Sequence, residues 1–265
     1  MLTNARSDRV TAVRALSRRA ARSRQGLFLA EGPQSVREAV NHRPDVVRDL
    51  YVTTEARTRH TDIVATAAGA GLAVQEVSDD VLAQMSDTEV PQGLLAVCRV
   101  LTFALEEVLR GRPRLLCILT NVRDPGNAGT VLRGADAAGA DAVILSDNSV
   151  DVFAPKVVRS TAGSLFHLPV VTRVPVDEII RQVRRAGLAL LAADGAGERL
   201  LGDVDLVRPH AWVMGNEAWG LDEAVRAQCD DVVRVPVYGK AESLNLAMAA
   251  TVCLYASATA QRRAG

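Results

Sequence analysis

A chain of 265 residues, 48% of them hydrophobic, with 31 basic side chains against 31 acidic ones, can bury the core of one large domain or two ordinary ones. No apolar run approaches the length of about eighteen residues that a membrane span needs, and the N-terminus shows no apolar stretch followed by a cleavage site, so a folded cytoplasmic protein is expected. Cys98, Cys117, Cys229 and Cys253 lack CxxC spacing and His42, His60, His167 and His210 are dispersed, so neither a disulfide framework nor a metal site is predicted. The zero net charge hides an uneven distribution: seven arginines and a single acid, Asp8, lie between Arg6 and Arg24, a local excess suited to a polyanion.

In chain order, residues 10–21 carry Val10, Val13, Leu16 and Ala20 at helical spacing with arginines on the other faces. Residues 27–30 read as a strand, and Pro33 opens a helix reaching Asn41. A strand over 46–53, a helix over 55–70 closed by Gly71, and a strand over 72–77 follow; Ser78 caps a short helix, and 93–100 is a further strand. This alternating α/β unit is predicted as a domain over 1–105. Gly111-Arg-Pro113-Arg114 marks a linker over 106–113, and a second domain covers 114–265. There, short apolar runs at 115–120, 142–145, 188–192, 211–214 and 232–235 alternate with helical patterns at 127–138, 176–186, 221–228 and 243–260, which predicts a mainly parallel sheet.

Three segments of the second domain place polar residues and glycines where an apolar run meets a turn. In Asn121-Val-Arg-Asp-Pro-Gly-Asn127-Ala-Gly-Thr-Val-Leu-Arg133, Asn127 is placed to cap a helix, and Arg133 stands among small and apolar residues, either as a snorkelling surface group or as one held for a purpose. In Val213-Met-Gly-Asn-Glu217-Ala-Trp-Gly-Leu221 a tight loop presents backbone groups to a ligand, and Glu217 supplies an acceptor. Ser243-Leu-Asn245 follows Val235-Pro-Val-Tyr-Gly239, with Ser243 as the natural cap of the last helix, whose apolar face is formed by Leu246, Ala249, Ala250, Cys253 and Leu254. Each segment alone could be only a well-made turn. Neither GxGxxG nor GxxxxGK[ST] occurs, which removes the usual support for a nucleotide-dependent dehydrogenase or an ATPase.

Taken in order, Asn127 with Arg133, Gly215-Asn-Glu217-Ala-Trp-Gly220, and Val235-Pro-Val with Ser243-Leu-Asn245 resemble the three motifs of the SpoU-type RNA ribose 2′-O-methyltransferases of the SPOUT superfamily. Phe28-Leu-Ala-Glu31-Gly32 and the helix after it are similar to the small, ribosomal-protein-like RNA-binding domain of the ribosomal-RNA members. The resemblance implies an α/β fold in which the C-terminal domain carries a deep trefoil knot. It also implies S-adenosylmethionine held near Ala193, Gly215, Val235 and Leu244, and a homodimer whose sites are completed across the interface.

The same resemblance implies a site of Asn127, Arg133, Glu217, Ser243 and Asn245. Arginine stays protonated at ordinary pH and is a poor base, so Arg133 either activates the ribose 2′-hydroxyl, as proposed in the family, or stabilises the developing alkoxide or a phosphate while water or Ser243 takes the proton. Arg159, with Arg14, Arg18 and Arg22, is the candidate for gripping RNA phosphate. Aromatics at 3% disfavour a base-stacking platform. The expected substrate is 23S ribosomal RNA, because compact transfer-RNA enzymes of the group usually lack the N-terminal domain; DNA and membrane partners are not expected. Transfer-RNA methylation and a non-catalytic role in RNA binding or ribosome assembly are the alternatives. The architecture fits housekeeping modification and resistance to a ribosome-directed antibiotic equally.

Overall fold

The computed structural model describes residues 1–264, which form two compact units, residues 1–101 with 151–167 and residues 102–150 with those from 168 onward. In the first unit the basic stretch expected as one helix is two. α1 (Asp8–Ala15) is capped by Ser7, and α2 (Arg19–Gln25) ends at Gly26 in the left-handed region. The break has a physical cause: Leu16 turns into the core, and the Arg22 guanidinium donates to the carbonyls of Leu16 and Ser17 at 2.9 and 2.7 Å, satisfying acceptors that a continuous helix would have used. Next come β1 (Leu27–Glu31), α3 (Gly32–His42), β2 (Val47–Thr53), α4 (Thr54–Arg59), α5 (Thr61–Gly69), β3 (Val74–Val77), α6 (Asp79–Met85) and β4 (Leu94–Arg99). The helix expected over 55–70 is thus interrupted at His60.

The sheet runs β1-β4-β2-β3, with β4 antiparallel to both neighbours and β2 parallel to β3. Val10, Val13 and Leu16 cluster with Leu29, Leu82, Leu95 and Val97. Phe28 packs on Phe153 and Phe166, ring centroids 5.0 and 6.1 Å away, so residues 151–167 complete this unit's core although they lie far along the chain.

The first helix of the second unit, α7 (Leu105–Arg110), takes up most of the stretch 106–113 expected to be a linker. Leu105 belongs to the unit's apolar core with Ile179, Ile180 and Val183, a long-range pairing that the Gly-Arg-Pro punctuation of residues 111–113 concealed. β5 (Leu115–Leu119), α8 (Pro125–Ala138) and β6 (Ala142–Ser146) follow; α9 (Pro155–Ser160) lies in the first unit, and β7 (Val170–Val174), α10 (Val176–Arg185), β8 (Ala189–Ala193), β9 (Arg199–Leu200), β10 (His210–Met214), α11 (Glu223–Arg226), β11 (Asp231–Arg234) and α12 (Leu246–Ala264) complete the order. Seven strands form one sheet, β7-β6-β5-β10-β8-β11-β9, in which every pair is parallel. Its central strands are apolar on both faces, as a sheet covered on both sides requires.

α12 packs on α8, β5 and β10. It buries Ala247, Ala250, Cys253, Leu254 and Ser257 and leaves Met248, Val252 and Tyr255 exposed, so it has two apolar faces rather than one. Ser257 anchors a buried polar chain: Trp212 Nε1 donates to its Oγ at 2.8 Å, and His210 Nε2 lies 2.7 Å from the same oxygen. His210 Nδ1 sits 2.7 Å from the Arg208 carbonyl, so the neutral ring donates there from Nδ1 and accepts from Ser257 Oγ at Nε2. Among the described residues no helix is long and apolar enough to cross a membrane.

Candidate active site

In a parallel sheet the loops leaving the carboxyl ends of the strands share one edge, and there the segments after β8, β10 and β11 close around a cavity of about 470 Å³. Ala193, Gly215, Val235 and Leu244, the positions expected to hold a cofactor, all line it, as do Glu217 and Ser243. The loop after β10 is closed on itself by paired backbone bonds between Asn216 and Gly220, at 2.8 and 2.9 Å. That closure needs a residue without a side chain at position 215, since a Cβ there would lie 2.2 Å from the Gly220 carbonyl carbon.

Glu217 joins this loop to the first motif. Its two carboxylate oxygens accept from the backbone N–H groups of Arg123 and Asp124 at 3.2 and 3.1 Å, and Asn127 Nδ2 lies 3.4 Å from Oε1. Asn245 Nδ2 donates to Asn127 Oδ1 at 2.9 Å, so three residues from three separate segments form one chain of bonds.

The helix caps differ from expectation. Asp124, not Asn127, caps α8: its Oδ1 accepts from Asn127 N at 2.7 Å, and Pro125 takes the first helical position, where its missing N–H costs nothing. Asn245, not Ser243, caps α12, with Oδ1 accepting from Ala247 N at 2.9 Å. Ser243 is exposed. Arg133 is exposed on α8 and lies outside the Asn127–Glu217–Asn245 chain of bonds, six residues or about 9 Å along the axis from Asn127.

Two supporting residues escaped the sequence reading. Asn216, 6% exposed, donates from Nδ2 to the Asn121 carbonyl at 2.7 Å and accepts from Ala218 N at 2.8 Å. Asn121 has φ of 55°, and its N–H is taken by Ser146 Oγ at 2.9 Å. Asparagine tolerates that left-handed backbone better than most residues, the only signal the sequence offered.

The expected phosphate-binding arginines separate into groups. Arg14 and Arg18 are exposed. Arg22 is buried: besides its two carbonyl contacts, it pairs with Asp151 at 2.6 Å and presents no guanidinium to an external phosphate, which corrects the expectation for this residue. Arg159 is held by Asp87 at 3.1 Å and Glu31 at 3.5 Å, its guanidinium turned to acids of its own unit. Burial pushes the Glu31 carboxyl above its ordinary range, opposed by the Asp87 and Thr88 N–H groups and by Arg159.

The cavity's chemistry fits S-adenosylmethionine. Its volume lies within the range of sites for molecules of that size, Val235 and Leu244 offer apolar contact to an adenine, and the loops offer backbone polar groups. Asp194, Glu217 and Glu242 outnumber Arg234 among its charged lining residues, which suits a positively charged sulfonium. The chain thus combines a parallel α/β domain that carries this cavity with a separate small α/β unit.

Comparisons with known proteins agree. Residues 114–255 match the SpoU rRNA Methylase family, and residues 7–96 match the MRM3-like substrate binding domain. The 23S rRNA (guanosine(2553)-2′-O)-methyltransferase RlmP of Bacillus subtilis (strain 168) is 35% identical over 258 residues, covering 96% of this chain and 97% of its own. The 23S rRNA (uridine(2479)-2′-O)-methyltransferase of Streptomyces viridochromogenes is 34% identical, over 94% of this chain and 88% of its own. Among solved structures, the AdoMet-bound rRNA methyltransferase of Sinorhizobium meliloti superposes with a TM-score of 0.85 at 29% identity, covering 97% of this chain and 96% of its own. The chain belongs to the SpoU rRNA Methylase family.

Proposed function

We propose that this chain methylates a ribose 2′-hydroxyl of 23S ribosomal RNA with S-adenosylmethionine as donor. The observation that carries the reading is the double role of Glu217, which lines the cavity and also holds the backbone of the first motif. The loops at Ala193, Gly215, Val235 and Leu244 would hold the donor. Bound there, S-adenosylmethionine supplies a methyl group on a sulfonium, already activated for transfer.

The protein's work is then to orient the ribose and assist loss of its proton. The Asn127–Glu217–Asn245 chain fixes the starts of α8 and α12 around the cavity rim. The Arg133 guanidinium stabilises the developing alkoxide or holds the adjacent phosphate, and the proton leaves to water or to Ser243 Oγ. Exposed Arg14 and Arg18 add phosphate contacts.

The stripe of Met248, Val252 and Tyr255, at one helical spacing on α12, supports a homodimer formed through this face, with Arg133 reaching the site across the interface. The knotted threading is supported by the sheet order, in which β11 pairs with β8 beyond β10 and the chain then returns to lay α12 on β5, β10 and α8.

The test is transfer from labelled S-adenosylmethionine to separated ribosomal and transfer RNA, digested to nucleosides. Label in a 2′-O-methylated nucleotide of 23S RNA is expected; label in a base, or in transfer RNA alone, overturns the reading. Arg133→Ala should lower kcat by about 10² to 10³ with cofactor affinity unchanged in calorimetry. Normal turnover would remove Arg133 from the site.

A further inference from the structure

Two histidines that lie 125 residues apart in sequence meet in the first unit. Glu38 and His42 stand one turn apart on α3 and share a face. Gly163, at φ 102°, approaches Glu38 so closely that a Cβ there would fall 2.3 Å from Glu38 Cγ, and this contact brings the turn Ser164–Phe166 and the following His167 onto α3. His167 Nε2 is 3.1 Å and His42 Nε2 3.3 Å from the same oxygen, Glu38 Oε2. The rings lie 4.3 Å apart between centroids, at 65°. The other carboxylate oxygen, Oε1, accepts from Gln34 Nε2 at 2.7 Å, which orients the group so that Oε2 faces the imidazoles.

We propose that Glu38, His42 and His167 bind a divalent transition-metal ion of the zinc class. Three ligand atoms, one oxygen and two nitrogens, lie within 4.8 Å of one another. Zinc bound at about 2.0 to 2.2 Å in tetrahedral geometry separates its ligand atoms by roughly 3.3 Å, close to both measured spacings. Two imidazoles and a carboxylate are a donor set that suits zinc and its neighbours and discriminates against magnesium and calcium. His42 is 53% exposed, so the fourth position opens to solvent and a water completes the shell. The ion ties residues 163–167 to α3 and clips together the two stretches of chain that make up the unit, a structural role separate from methyl transfer.

The experiment uses the tag-free full chain, stripped with chelator and titrated with Co²⁺ as a spectroscopic probe. About one Co²⁺ per chain should bind with the intense visible bands of four- or five-coordinate cobalt, be displaced by Zn²⁺, and raise the thermal midpoint. His42→Ala and His167→Ala, checked for folding by circular dichroism, should lose that uptake, and Gln34→Ala should weaken it about tenfold. His60→Ala should leave it unchanged. Absence of stoichiometric uptake, a weak six-coordinate spectrum, or binding that survives both His42→Ala and His167→Ala would overturn the proposal.

Discussion

Asn245 does two things with one side chain: its oxygen caps α12 and its amide nitrogen reaches Asn127. Substitutions separate the two roles. Asn245→Ala should cost about 0.5 to 2 kcal/mol in denaturant unfolding through the lost cap and should also lower kcat. Asn245→Asp keeps the capping acceptor but cannot donate to Asn127, so stability should hold while kcat falls; equal loss of stability in both variants would refute the division. The motifs that carry Asn127, Glu217 and Asn245 were legible because they are local strings. Their mutual bonds, and the bond from Asn216 to the Asn121 carbonyl, were not, because each spans 90 or more residues. The same distance hid the meeting of His42 and His167: metal-ligand spacing rules read only neighbours in sequence.

At the scale of elements, apolar runs flanked by turns located the five strands of the predicted parallel sheet, whereas the two edge strands, β7 and the two-residue β9, passed unread. β7 lies at the sheet edge and is irregular, with a register shift opposite Ser146 and Arg173 at φ 64°. The joint between β10 and α12 carries its own pH dependence. Burial holds the His210 imidazole below its ordinary pKa of 6.5, with the Arg208 carbonyl opposing the shift. Since the folded-state pKa is depressed, the unfolded chain binds the proton more readily; the stability is fully present above about pH 6.5 and is lost as pH falls through the folded value. The unfolding midpoint should therefore drop as the pH is lowered below about 6.5. In His210→Gln that slope should flatten, and an unchanged slope would assign it to other groups.

For the whole molecule, the N-terminal arginine cluster divides into exposed Arg14 and Arg18 and buried Arg22. Arg14→Ala and Arg18→Ala should each reduce the slope of log affinity for RNA against log salt by about one, with stability nearly unchanged. Arg22→Ala should leave the slope unaltered and cost about 3 to 5 kcal/mol, because it strands Asp151 and two carbonyls. Identical salt slopes for all three variants would dissolve the distinction. Asp151 lies, with Phe153 and Phe166, in residues 151–167, inside the span that matches the SpoU rRNA Methylase family, yet it packs in the first unit. This interleaving orders events at the ribosome. When residue 101 emerges, Phe28 has no aromatic partner and Arg22 no carboxylate, so the nascent N-terminal half waits, incompletely cored, until residue 167 has been synthesised. A fragment cut at the apparent boundary would inherit that unfinished surface, and a chimera exchanging the half that matches the substrate binding domain would have to carry residues 151–167 with it.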